Sequence, residues 1–318
     1  MSCIASIDIG SQTIRLMIAE YSAAHNFTPL HRAREIVRLG ESMNAEKPLL
    51  QPQSIERAVG CIKRFVKTSR TYGAAPILAV ATACVRNAHN RETFLKAVTE
   101  TTGITPQVIT GSREAQLSRA GVCAAIPGSS SSRLIIDIGG GSTELIYLNS
   151  PQTEITESLP LGVIRLAEEH LKHDPPLPQE VTALKQRIHT ILTAGSSIIR
   201  TAPTTGQTQP MLIGTAGTIT TLSAMSLKMG RYDPDKINGH VLSAADITSL
   251  FNDMIGLPLQ KRSRLLGLET GRALVIIPGT LIIQSLMELF RQNALTVSDA
   301  GLLEGIIINE LGHKSSAG

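Results

Sequence analysis

The chain is expected to fold as α/β, in two domains that flank an interdomain cleft. Two stretches carry nearly the same message, Ser6-Ile7-Asp8-Ile9-Gly10-Ser11 near the start and Ile135-Ile136-Asp137-Ile138-Gly139-Gly140-Gly141-Ser142-Thr143-Glu144 in mid-chain. Strand and helix patterns alternate between them, the signature of a sheet covered by helices. With 318 residues, 42% of them hydrophobic, the chain can bury two cores of ordinary size.

Each duplicated stretch reads as a buried strand, an acidic residue, a glycine turn and a returning strand, over 13–18 in the first copy and 145–148 in the second. Residues 31–39 alternate basic and apolar and predict a further strand with Arg32, Arg34 and Arg38 on one face. Such a face is ordinarily a solvated edge. Over 54–72 the apolar residues Ile55, Val59, Ile62, Phe65 and Val66 recur at helical spacing behind Ser54, a good capping residue. Then follow a short strand (77–81), a helix (91–101), a strand (107–110) and a helix (112–122) with Glu114 in its first turn. The Gly/Ser-rich patch 127–132 is the expected linker. Beyond it come hairpins to about Leu161, a helix at 164–171, a Pro-rich break at 174–178 and one long helix at 179–200. Met211-Leu212-Ile213-Gly214-Thr215-Ala216-Gly217-Thr218 is a strand ending in a third glycine-hydroxyl turn that opens a helix. The apolar run 273–287 contains Pro278, Gly279 and Gln284 and is too short to span a bilayer, so it reads as a core helix behind a loop. A last helix, about 300–311, is expected to return to the first domain.

A net charge of +4 is mild, and 3% aromatic residues with no Trp leave few platforms for stacked bases, so no nucleic-acid partner is expected. Cys3, Cys61, Cys84 and Cys123 have neither zinc-site spacing nor the density of a disulfide scaffold. They read as reduced thiols of a cytoplasmic protein. Asp8 interrupts the first apolar run too early for a signal peptide, and no membrane partner is expected.

The chemistry lies in the glycine turns. Without a Cβ the chain lets a phosphate approach closely, and free backbone N–H groups converge on its oxygens. An aspartate at the strand end can hold a divalent cation, directly or through water. The turn at 214–218 adds a helix start, where unpaired N–H groups and the dipole favour anions. Read singly, each is also an ordinary strand turn with a solvated acid; the repetition carries the weight. His170, His173 and Asp174 have metal-like spacing, but on a helix end followed by prolines they read as a solvated terminus.

Together these motifs resemble the exopolyphosphatase and guanosine pentaphosphate phosphatase (Ppx/GppA) family of the actin-like (ribonuclease H-like) ASKHA superfamily. The resemblance rests on residues 8–11, 81–90 around Arg86, Gly111-Ser112-Arg113-Glu114-Ala115, 137–144, Leu161-Gly162-Val163-Ile164-Arg165-Leu166 and 214–218. It implies two actin-like domains, one of 1–126 with the C-terminal helix 300–318, the other of 127–299. It implies release of a terminal orthophosphate from inorganic polyphosphate, or from the guanosine alarmone pppGpp, with Mg2+ or Mn2+ as cofactor. By the family pattern Glu114 is the general base. Asp137 and Glu144 position metal and water, with Asp8 as a further metal residue. Ser11, Gly139, Gly140, Ser142, Thr215 and Gly217 bind phosphate, and Arg86 neutralises substrate charge.

Three positions depart from the pattern: Arg113 replaces an acid, Leu274 stands where aspartate is usual and Leu303 where arginine is common. If the last two charges pair in relatives, their joint loss would be a swap to apolar packing. Larger members carry a further C-terminal helical region, so the chain resembles the short two-domain form, with a homodimer possible. Two other readings compete: a polyphosphate or alarmone sensor with little turnover, and another superfamily phosphotransferase such as a sugar kinase.

Overall fold

A computed structural model describes residues 2–23, 26–43, 47–128, 132–149, 153–202 and 209–316. The chain divides into two compact units, residues 1–121 with 301–318 and residues 122–300. Part of the expected linker, 129–131, lies outside the described residues. The change of unit falls earlier, inside a helix.

The first unit contains β1 (Ser2–Ile9), β2 (Thr13–Ala23), β3 (Asn26–Ile36), α1 (Pro52–Thr71), β4 (Ala74–Ala81), α2 (Ala83–Asn87), α3 (Arg91–Thr102), β5 (Gln107–Val108) and the start of α4 (Gly111–Ala125). Its sheet runs β3-β2-β1-β4-β5, with β1 antiparallel to β2 and parallel to β4. Alternation along β1 sorts its side chains. Ala5, Ile7 and Ile9 enter the core with Ile62, Phe65 and Phe94, while Ile4 packs with Met17 and Ala19 on the other face. Asp8 therefore shares the face of Ile4.

The second unit contains β6 (Ser132–Ile138), β7 (Thr143–Asn149), β8 (Thr153–Leu159), α5 (Val163–His170), α6 (Pro178–Gly195), α7 (Ser197–Thr201), β9 (Met211–Thr215), α8 (Ala216–Ser226), α9 (Pro234–Ile237), β10 (Val241–Ser243), α10 (Ala244–Ile255), α11 (Leu259–Arg262), α12 (Ile276–Leu289) and β11 (Ala294–Val297). Its sheet order is β8-β7-β6-β9-β11-β10. Without the antiparallel edge β10, this repeats the first sheet strand for strand, with β6, β7, β8, β9 and β11 in the places of β1 to β5. The last helix, α13 (Leu302–Ser316), belongs to the first unit. Leu303, Ile307 and Leu311 cover Ile4, Met17 and Ala19. A Cβ on Gly305 would sit 1.8 Å from the Leu117 carbonyl oxygen, so only glycine permits this crossing of α13 and α4.

Several expectations are corrected. Helix α1 starts at Pro52 behind Gln51, and Ser54 is buried inside it, accepting from Arg57. Strand β3 ends at Ile36, so Arg38 is not on it; Arg38 sits in the following turn at φ 51°. The long helix at 179–200 is two helices broken at an extended Ser196. There Glu157 accepts from Ser196 Oγ and from the Ser197 and Ile198 N–H groups, satisfying the new helix start. Leu303 is buried among first-unit residues, whereas Leu274, in the second unit, is 44% exposed. Arg113 donates to Asn309 on α13 at 2.6 Å, which absorbs that departure into the α4–α13 contact. No helix among the described residues is long and apolar enough to cross a membrane.

Candidate active site

Each unit carries its own set of the expected residues, built by the same local geometry. In the first, Ile9 pairs with Ile14 and Gly10 N–H donates to Thr13 O at 3.1 Å, closing the turn 10–13. In the second, Ile138 pairs with Thr143 and Gly139 N–H donates to Ser142 O at 2.9 Å, closing 139–142. The registers place Asp8 opposite Arg15 and Asp137 opposite Glu144. Equivalent positions thus hold an acid–base pair in one unit and two acids in the other.

This difference sorts the acids. Arg15 donates Nε and Nη2 to Asp8 Oδ2 at 2.9 and 2.7 Å, and Asp8 is buried. The structure gives Asp8 a guanidinium partner across the ladder. Asp137 and Glu144 share a face, and like charges directly opposite across a ladder are unfavourable without a cation. Ser142 and Ser158 donate their hydroxyls to Glu144 Oε1 at 2.8 and 2.7 Å. The Ser142 hydroxyl is thus spent on orienting Glu144. Among the described residues no group of three His, Cys, Asp or Glu could hold a metal ion. A two-carboxylate pair still suits Mg2+, which keeps waters and takes substrate phosphate oxygens as further ligands.

Glu114 lies in the first turn of α4, its N–H bonded to Thr110 O. Its Oε2 accepts from Arg86 Nη1 at 2.9 Å, and the same Nη1 donates to Ile109 O. Arg86, at the end of α2, therefore fixes Glu114. Ser11 is buried and its Oγ has no partner at hydrogen-bond distance and angle. A buried orphan hydroxyl on a glycine turn suits a phosphate oxygen. Beside it, burial pushes the Cys84 thiol up to about 11, a rise tempered by Ser11; Cys61 is pushed up by burial to about 12. At pH 8 both stay protonated, so brief alkylation of the native protein should modify the half-buried Cys3 and Cys123 first. Mass spectrometry of the products checks this; early labelling of Cys84 would contradict it.

The turn 139–142 is buttressed from below. Val163 and Ile164 N–H groups donate to Gly139 O and Gly140 O, and Thr143 Oγ1 donates to Leu161 O. A Cβ on Gly162 would lie 2.5 Å from Gly140 O and 2.4 Å from the Gly141 carbonyl carbon. The backbone itself would have to move. Gly162→Ala is expected to cost about 1–3 kcal/mol and to raise KM for phosphate substrates. Thermal unfolding and kinetics check it, and unchanged values in both would show that the turn is not held this way.

At the third turn the Thr215 hydroxyl donates to Ala300 O at 2.9 Å, tying down the segment before α13 in place of reaching outward. Gly217, just inside α8, lies under the guanidinium of Arg272. A Cβ there would sit 2.1 Å from Arg272 Cζ. Arg272 is held by Glu269, whose Oε2 accepts from Nε at 2.9 Å. Arg15 and Arg272 are the residues that sequence reasoning missed. The first follows once the hairpin register is known; the second has no local signal. The His170–Asp174 segment is structural. His173 contacts Glu180, which is held down to about 2 by that ring and by the Leu177 and Lys172 N–H groups, and Asp174 accepts from Leu259 N–H and Arg262.

The sequence model described as the Ppx/GppA phosphatase family matches residues 17–314. "Exopolyphosphatase 2" of Mycobacterium tuberculosis is 31% identical, over 97% of this chain and 98% of that protein. The crystal structure of the Aquifex aeolicus Ppx/GppA family member is 30% identical over 98% of both chains, with a TM-score of 0.79. An exopolyphosphatase structure from Cytophaga hutchinsonii, 25% identical over 98% of both chains, reaches 0.87.

Proposed function

Because the chain belongs to the Ppx/GppA phosphatase family and is thus a phosphoanhydride hydrolase, we propose that it releases terminal orthophosphate from inorganic polyphosphate. The observation that carries the reading is the Arg86–Glu114 pair at 2.9 Å, a fixed carboxylate at a helix start beside the orphan hydroxyl turn of the same unit. Phosphoryl transfer asks little covalent chemistry of a protein; it asks for an aligned water, charge neutralisation and fixed donors. Glu114 orients the attacking water and takes its proton as the new P–O bond forms at the terminal phosphorus and the P–O–P bridge breaks; the terminal phosphoryl departs as orthophosphate and the bridging oxygen stays on the shortened polyphosphate. With Arg86 and the helix start both beside it, Glu114 works more by orientation than by basicity.

Asp137 and Glu144 are the residues that would hold Mg2+ or Mn2+. Such an ion, when bound, neutralises charge on the transferring phosphoryl oxygens. Ser142 and Ser158 fix Glu144 for this task. In the first unit Ser11 Oγ donates to phosphate oxygens, and in the second the backbone of the turn 139–142 does. The test is orthophosphate release from long-chain polyphosphate and from pppGpp side by side, with Mg2+ and with chelator. Metal-dependent release from polyphosphate supports the reading; release from pppGpp alone, or from neither, overturns it.

A further inference from the structure

The first-unit helix α1 carries a charged face that the hydrolytic chemistry does not use. Ala58, Cys61, Ile62, Phe65, Val66 and Ser69 point into the core. Outward stand Arg57, Lys63, Arg64, Lys67 and Arg70, all exposed, against one exposed acid, Glu56. Lys63, Lys67 and Arg70, at spacings of four, three and seven, form one row, and Arg57 and Arg64, seven apart, form a second beside it; the face is roughly 20 Å long at 1.5 Å per residue.

This face starts beside the first glycine turn. Val37 and Arg38 N–H groups both donate to Gln12 O, Gly40 N–H donates to Ser11 O, and Arg57 Nε donates to Val37 O at 3.1 Å. Backbone bonds thus lead from the turn to the first cation of α1 without a break. Arg57 and Arg64 are steadied by Glu41 and Glu35. Lys63 and Lys67 have no ion-pair partner among the described residues, leaving their charge for an external anion.

We propose that this face of α1 is a track for the unreacted length of a linear phosphate polymer whose end is processed at the catalytic residues. The proposal rests on the reading of polyphosphate as substrate. A regularly charged polyanion complements rows of regularly spaced cations, and its binding releases counterions, so the contribution grows with chain length and falls with salt. A short substrate that fills only the glycine turn gains nothing from α1.

The experiment uses the full chain with Lys63→Glu and Lys67→Glu combined, two exposed positions outside the catalytic set. Equilibrium binding of long-chain polyphosphate and of tripolyphosphate is measured at two salt concentrations, with phosphate release followed in parallel. The expected result is long-chain affinity lowered about tenfold with a shallower salt dependence, and tripolyphosphate affinity and kcat unchanged. Unaltered long-chain affinity overturns the track, as does equal weakening for both substrates. If the wild-type chain binds long polyphosphate in this charge-dependent way but releases no phosphate, the track stands and the hydrolase reading fails.

Discussion

Replacing Glu114 with glutamine should lower turnover on the order of a thousandfold, the usual contribution of a positioned acid–base group, while polyphosphate affinity stays within about tenfold. Glutamine keeps the shape and can still accept from Arg86 Nη1, which also remains tied to Ile109 O. The fold should therefore survive, and loss of activity cannot be charged to unfolding. Arg86→Ala is the companion. It leaves a largely buried carboxylate without its guanidinium, so both stability and turnover should fall. If Glu114→Gln hydrolyses polyphosphate at the wild-type rate, Glu114 has no part in the mechanism, and the sensor or phosphotransferase readings regain their footing.

Asp137→Asn should move stability and activity in opposite directions. The register sets Asp137 directly opposite Glu144, and opposed like charges cost roughly 0.2–1 kcal/mol. Removing one of them should raise the melting temperature in chelator by about 1–3 °C for a unit of this size. It should also weaken the thermal shift caused by added Mg2+ and reduce turnover on the order of a hundredfold or more. Function held against local stability is common at active sites. A lower melting temperature in chelator would mean that the interactions of the Asp137 carboxylate outweigh the repulsion. The case for a cation at this pair would then be lost.

Much of the fold was legible because its signals are local. Asp8-Ile9-Gly10 and Asp137-Ile138-Gly139 each announce a strand, a turn and a return, and the two sheets do repeat one strand order. Phe65 and Val66 fall on the buried face of α1 as their spacing requires. What escaped reading depends on partners far along the chain. The break at Ser196 needs the carboxylate of Glu157, and the place of Arg272 over Gly217 follows only from the folded second unit.

The site shows the same division. Residue types were legible, but the direction of a hydroxyl was not. Ser142 and Thr215 sit on the expected turns, yet they spend their hydroxyls on Glu144 and on Ala300 O. Ser11, in contrast, has only the Cys84 thiol beside its buried hydroxyl, with no oxygen or nitrogen partner. Asp8 and Asp137 look alike in sequence, and only the residue across the ladder, Arg15 or Glu144, separates an acid paired with a guanidinium from an acid facing another acid.

The most direct test is polyphosphate hydrolysis in 18O-labelled water with Mg2+, followed by mass analysis of the released orthophosphate and of the remaining polymer. Water attack on the terminal phosphoryl predicts one solvent oxygen in each orthophosphate released and none in a polymer that shortens from its end. Unlabelled orthophosphate, labelled polymer or internal fragments would contradict hydrolysis at the chain terminus.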